Sequence, residues 1–429
     1  MKRLISVLLA SIMIFVLVAC NSGNQQEIEE IFVPRLDRST DCKISIVGSY
    51  SNFEALEAEF DRFNEFYPNV EMSYTKIDDY NNLIDTVLNG NDAPNIFFSF
   101  SWMIGNSAYD GIFAHMENLA ETSLGLDLNC IRPGLLNRDS QGRVLTVPVF
   151  STSYGMLINN DLFEKEGLKV PSTLQELLNV CASFREKGYA SPMMGYSKKS
   201  DSSLMYTLAY PMFAGTLSKH PEMVSRANQR DPTAGEYMRP ALETLSQLID
   251  NKCVDLEKCS EINDNYTEVI LRFYEGDVPM MICTGDTVSG TKKRESQSEA
   301  FTAHPFTYTF APIPTTDKGG YFLDSPSVQF SVNKNCNDLE MTNEFMRFLI
   351  SKRELNEMAS VKRLITPTID LSFDKVYAPI GKVAQDLVIS PTALGIEDTL
   401  AVQIRLASYR VGTKALTIDE AVAQYGSLT

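Results

Sequence analysis

Residues 42–77, CKISIVGSYSNFEALEAEFDRFNEFYPNVEMSYTKI, restrict the fold more than any other stretch of the chain. Lys43 to Val47 alternates as a strand does. Ser51 and Glu54 stand three apart, the spacing of a capping box. Phe53, Leu56, Phe60, Phe63 and Phe66 then recur at helical spacing. Pro68-Asn69 stops that helix, and Val70 to Thr75 alternates again. Strand, helix and strand in so short a span imply two parallel strands joined by a right-handed crossover. The connection Ser49–Phe53 then lies at a strand's carboxyl end, where α/β folds bind ligands.

The pattern continues. A helix is expected near Tyr80–Leu88. IFFSFS, ending at Ser101-Trp102, is apolar enough for a buried strand. Val144 to Ile158, VLTVPVFSTSYGMLI, reads as one long strand or two end to end. Asp161–Glu166 forms a short helix closed by Gly167. Thr173 with Glu176 opens a helix running to about Lys187, and Thr417 with Glu420 caps the last one. Residues 190–280 read as mostly helical. A body from Asp41 to Thr429 is too long for one ordinary core, and it is expected to form two α/β domains.

The N-terminus reads as an export signal. Lys2 and Arg3 are followed by an apolar run, Leu4–Leu17, short of the roughly 20 residues a membrane span needs. Leu17-Val18-Ala19-Cys20 resembles the bacterial lipobox, which implies that Cys20 is lipidated and becomes the mature N-terminus. Residues 1–19 are therefore expected to be removed, and 20–40 to serve as a flexible tether. The net charge is −17, and −19 without Lys2 and Arg3. Such a surface argues against nucleic acid and anionic membrane faces as partners. Seven cysteines besides Cys20 are too scattered for a disulfide framework; only Cys253 and Cys259 are close enough for a local bridge.

Motifs of metal, nucleotide or nucleophilic chemistry fail. His115, His220 and His304 are scattered, and there is no HExxH, nucleophile elbow, CxxC or GxGxxG. GDTVSGTK, 285–292, has the glycine spacing of a P-loop but the wrong order of Lys and Thr. No metal and no cofactor is expected.

Six segments in order carry a resemblance: FNEFYPNVEMSY, SYGMLINNDLFEKEGLKVPSTLQEL, FYEGDVPMMICTGD, FAPIPTTDKGG, the helical stretch at 339–351 and ALTIDEAVAQ. Together they resemble the solute-binding proteins of bacterial ABC importers, in the large carbohydrate-binding class that includes maltose- and multiple-sugar-binding proteins. The resemblance implies two lobes, each a central sheet flanked by helices, joined by a three-segment hinge that closes on a ligand. Lobe 1 would comprise 41–150 and 325–371, and lobe 2 would comprise 151–324 and 372–429. The crossings would fall near Val149–Gly155, Tyr321–Ser325 and Leu371.

A sugar offers hydroxyls and an apolar C–H face, so its site needs aromatic platforms beside carboxylates or amides. Trp102, the sole tryptophan, follows the carboxyl end of an expected strand. Tyr50, Asn52 and Glu54 lie on the first strand–helix connection, and Tyr154 at the first crossing. Asp286 stands where the resemblance would place a stacking tryptophan, so a hydroxyl-binding carboxylate replaces a platform there. Asp324 and Ser325 lie at the second crossing. Tyr210 and Met212 could line the second lobe, although methionine there is more often core.

These readings imply a monomeric, lipid-anchored protein on the outer face of the cell membrane. It would capture a mono- or oligosaccharide and deliver it to an ABC permease without catalysis. An exported glycan hydrolase and a sensor lipoprotein for a non-sugar solute are the alternatives. A hydrolase would need two carboxylates about 5–9.5 Å apart, for which Asp286 and Asp324 are the available pair.

Overall fold

In a computed structural model, the structure describes residues 32–429 apart from 102, 105–106 and 199–202. Its strands are β1 (Cys42–Gly48), β2 (Val70–Lys76), β3 (Ile96–Ser99), β4 (Val147–Pro148), β5 (Ser151–Thr152), β6 (Tyr154–Asn159), β7 (Met193–Met194), β8 (Met280–Thr284), β9 (Tyr308–Ala311), β10 (Phe322–Leu323), β11 (Ser325–Pro326), β12 (Gln329–Val332) and β13 (Val388–Ile389).

The first sheet has the order β2-β1-β3-β12-β4. β1 runs parallel to both β2 and β3, while β12 pairs antiparallel with β3 and β4. Between β1 and β2 lies the helix Glu54–Asn64, burying Ala55, Leu56, Phe60 and Phe63. The expected strand–helix–strand unit is therefore present, but its cap is not. The helix begins after Phe53, and no side chain caps it. Packing decides this: Phe53 is fully buried against Tyr50, Tyr74, Phe98, Phe150 and Phe330. Holding that ring fixes the loop without help from Ser51.

The second sheet has the order β7-β8-β6-β9, with β6 antiparallel to β8 and β9. The apolar run at 144–158 is not one strand or two. It breaks into β4, β5 and β6, with β4 in the first sheet, β5 paired to β11, and β6 in the second sheet. Val149 and Phe150, at the break, are fully buried. Asn159 then caps the helix Asn160–Lys165 by accepting from the Leu162 amide at 3.0 Å. Gly167 follows at φ +66°, a left-handed position that suits glycine. Thr173 caps Leu174–Glu186, and Thr417 forms a full capping box with Glu420. The helix Ser203–Ser218 is buried almost all round, beneath Arg239–Asp250 and Asp398–Gly412. Such a helix belongs to a core rather than to a surface.

Two expectations are corrected. The tether does not extend to residue 40, because Arg35 and Arg38 dock onto the body. The Arg35 amide donates to Glu344 Oε1 at 2.9 Å, its guanidinium to the Leu124 carbonyl, and Arg38 to the Phe66 carbonyl. Nor is there a Cys253–Cys259 bridge. All seven described cysteines are free, and all are buried except the half-buried Cys336. Cys20 lies outside the described residues.

Candidate functional site

The carboxyl ends of β1 and β3 build one wall. A Cβ on Gly48 would meet the Phe98 ring at 2.5 Å, so glycine lets that ring lie flat against β1. Phe98 and Phe53 then hold Tyr50 edge-on at 5.4 and 5.2 Å. Tyr74 grips the Tyr50 backbone from both sides: its hydroxyl accepts from the Tyr50 amide and donates to the Tyr50 carbonyl. The Tyr50 phenol is thereby fixed towards Ser327 and Asp286. Burial, and then the Asp286 charge, push its pKa well above the ordinary tyrosine value.

Asp286 lies at the end of β8. The Gly285 amide donates to the Ser153 carbonyl at 2.8 Å, and a Cβ on Gly285 would press on the Thr152 hydroxyl at 2.9 Å. This contact brings Asp286 against the crossing strand β5. Its carboxylate accepts from the Ser327 hydroxyl. Burial raises its pKa, against the lowering effect of that bond. The Thr152 hydroxyl is buried beside the same carboxylate and, with Ser327, favours its charged form.

Beyond Asp286, the second sheet's side of the site is tyrosine. Tyr206 and Tyr210, one helical turn apart, stack at 4.8 Å and 12°. Tyr154, at the start of β6, meets both edge-on at 5.5 and 5.4 Å. The Arg405 guanidinium lies over Tyr206, 4.6 Å from the ring centroid. Burial pushes the pKa of all three phenols up. Asp286 acts on Tyr154 as well as on Tyr50, so the two walls share one field.

Of the residues expected at a site, Tyr50, Tyr154, Tyr210 and Asp286 come together here. Asn52 and Glu54 are exposed at the rim, where Lys362 donates to the Asn52 carbonyl and lies 3.6 Å from the Glu54 carboxylate. Lys362 also caps the Tyr50 ring at 5.1 Å. Ser325 pairs with Thr152 in the short β11–β5 ladder. Met212 is core. Trp102 lies outside the described residues. Asp324 is corrected: Arg132 takes both its oxygens, at 2.6 and 2.7 Å, and the carboxylate is buried in that ion pair. It is thus engaged in that ion pair rather than left open to a ligand.

Sequence reasoning missed Tyr206, Arg405, Thr152 and Ser327. Tyr206 was signalled by its four-residue spacing from Tyr210. Arg405 and Ser327 carried no local signal, because each is brought in by a distant segment. Among the described residues, no cluster of side chains could hold a metal ion, and no helix is long and apolar enough to cross a membrane.

The combination of aromatic faces, carboxylate and neighbouring hydroxyls can hold a polyhydroxylated molecule by stacking and hydrogen bonding. Melibiose/raffinose/stachyose-binding protein MelE of Bacillus subtilis (strain 168) is 22% identical over 187 residues. That match spans 41% of this chain and 42% of MelE, so less than half of that relative's length is covered. Among solved structures, apo RafE from Streptococcus pneumoniae superposes with a TM-score of 0.68 at 16% identity, covering 91% of this chain and 97% of RafE. A sugar transporter from Bacillus licheniformis in complex with stachyose gives 0.62 at 16% identity, covering 90% and 100%. These likenesses identify the fold as the two-lobe α/β architecture joined by a hinge. The family model described as bacterial extracellular solute-binding protein matches residues 48–354, and the chain belongs to that family.

Proposed function

We propose that the protein captures an oligosaccharide between two lobes, comprising 41–150 with 325–371 and 151–324 with 372–429, and hands it unchanged to an ABC importer permease. The observation that carries this reading is the pair of sides that meet at Asp286: Tyr50 and Ser327 from one lobe, and Asp286, Tyr154, Tyr206 and Tyr210 from the other. Aromatic faces take the apolar C–H surface of a sugar ring, while the Asp286 carboxylate takes its hydroxyls. Capture works by differential affinity: a ligand touching both walls favours the closed arrangement over the open one. Raffinose, stachyose and melibiose are the ligands to try first, since similar proteins are named for them.

The chain acts on the outer face of the cell membrane, held as a monomer by lipid on Cys20 once residues 1–19 are removed. Export and lipidation rest on the order of the basic, apolar and lipobox segments. Calorimetry of the purified protein against these sugars, chitin and xylan oligosaccharides, a peptide mixture and polyamines tests the ligand class. A sugar binding one-to-one and recovered intact by chromatography supports the reading. Binding only to peptides or polyamines, or release of a cleaved sugar, overturns it.

A further inference from the structure

Arg132 uses all five of its N–H donors, and it spends them on all three segments that cross between the sheets. Nε and Nη2 form a fork on Asp324 at 2.6 and 2.7 Å. Nη2 also donates to Ser151 Oγ at 2.8 Å. Nη1 donates to the carbonyls of Thr366 and Thr368 at 2.8 and 2.7 Å. The Arg132 backbone is fixed as well, since its amide donates to the Pro367 carbonyl and Ile131 bridges Thr368. Each target is tied onward. The Asp324 amide donates to the Ile389 carbonyl, the Ser151 amide to the Ile365 carbonyl, and both Thr366 and Thr368 hydroxyls donate to Asn356 Oδ1. The pair is shielded, with side-chain exposures of 14% for Arg132 and 7% for Asp324.

We infer that Arg132 is a positioning residue for ligand capture: a single rigid fork that makes the three crossings turn as one unit and so sets where the two walls meet. The inference rests on the two-lobe reading above. Three crossings that flexed independently would let the walls approach in many relative positions, few of them fit to stack a sugar. The planar guanidinium fixes the three relative to one another, because its donors lie in one plane at set angles. Lysine could keep the charge beside Asp324 but could not span three segments, since its ammonium is a compact point charge. A ligand sees only the fraction of molecules whose walls are correctly placed, so loosening the fork weakens binding without touching a ligand contact.

The test uses Arg132→Lys, with Asp324→Asn as a second variant in case the first fails to fold. Spin labels at Asp61→Cys and Glu243→Cys, both on exposed helix faces, report the distance between the two halves. Cys336→Ser and Cys20→Ser remove the half-buried thiol and the one outside the described residues. Dipolar distance distributions are recorded without ligand and with raffinose, alongside raffinose titration. The expected result is a broadened or displaced ligand-free distribution and raffinose affinity about tenfold lower, as when the competent fraction falls to roughly a tenth. Lower melting temperatures with an unchanged distribution and unchanged affinity would overturn the inference, leaving the ion pair merely structural. Should raffinose bind neither wild type nor variant, the sugar reading is at issue, and the ligand-free distribution still decides the role of Arg132.

Discussion

The Ser327 hydroxyl donates to the Asp286 carboxylate, and this one bond joins the segment leading into β12 to the end of β8. Asp286 is thus an internal tie, and a ligand that took up its carboxylate would compete with Ser327 for it.

Asp286→Asn should therefore weaken sugar binding by about 1.5–3 kcal/mol, the range for hydrogen bonds to charged groups, or about 10- to 150-fold. Stability should hold or rise, because the variant no longer buries a charge. Burial raises the Asp286 pKa, so its proton returns at a pH above that of an ordinary aspartate. Binding should accordingly begin to fall, as pH is lowered, earlier than a solvent-exposed aspartate would allow, and the Asn variant should lose that dependence. Titration calorimetry across pH checks both.

Tyr206 stacks on Tyr210 and carries Arg405 on its other face. Tyr206→Ala removes a stacking partner from the wall and should weaken affinity by about 1 kcal/mol per aromatic pairing removed. Tyr206→Phe keeps the ring and should retain most of the binding. Equal losses from both variants would show that the hydroxyl matters rather than the face.

Phe53 is fully buried and touches five other aromatic rings. Replacing it with alanine should destabilise the fold by about 3–5 kcal/mol, as other buried Phe→Ala changes do. Because Phe53 also seats Tyr50, ligand affinity should fall in any molecules that remain folded. Chemical denaturation paired with a ligand titration separates the two effects.

Glu59 and Glu354 share Arg62, which bonds both carboxylates. Burial, with the neighbouring Glu354 charge, pushes the Glu59 pKa up to about 8. A folded-state pKa above the unfolded value means that the folded chain holds its proton longer. Stability should thus decline as pH rises from about 4.5 to about 8, and Glu59→Gln should flatten that slope. Melting temperatures measured at steps between these pH values check the sign.

Much of this molecule was legible in its sequence, wherever local pattern and packing agreed. The unit from β1 to β2 follows from alternation and a helical apolar stripe, and the cap at Thr417 from spacing alone. The cap at Ser51 failed because tertiary packing of Phe53 fixed the loop instead. The stretch at 144–158 was read as continuous strand because apolar runs do not record which sheet they join. The wall of Tyr154, Tyr206 and Tyr210 was only half visible: two members are named by position, and the third needed the helix to bring it round. Asp324 looked available until Arg132, 192 residues away, claimed it. Partners so distant leave no trace in local spacing.

The insertion of β12 between β3 and β4 has a consequence for biogenesis. The first sheet stays split until residue 332 has been synthesised, and the helix Ser203–Ser218 waits still longer for its cover from Asp398–Gly412. A nascent chain emerging from the ribosome therefore lacks a complete first sheet until residue 332 is made, and cover for its second core until residue 412 is. That delay keeps the polypeptide threadable for most of its synthesis, the state a translocation channel requires of its cargo.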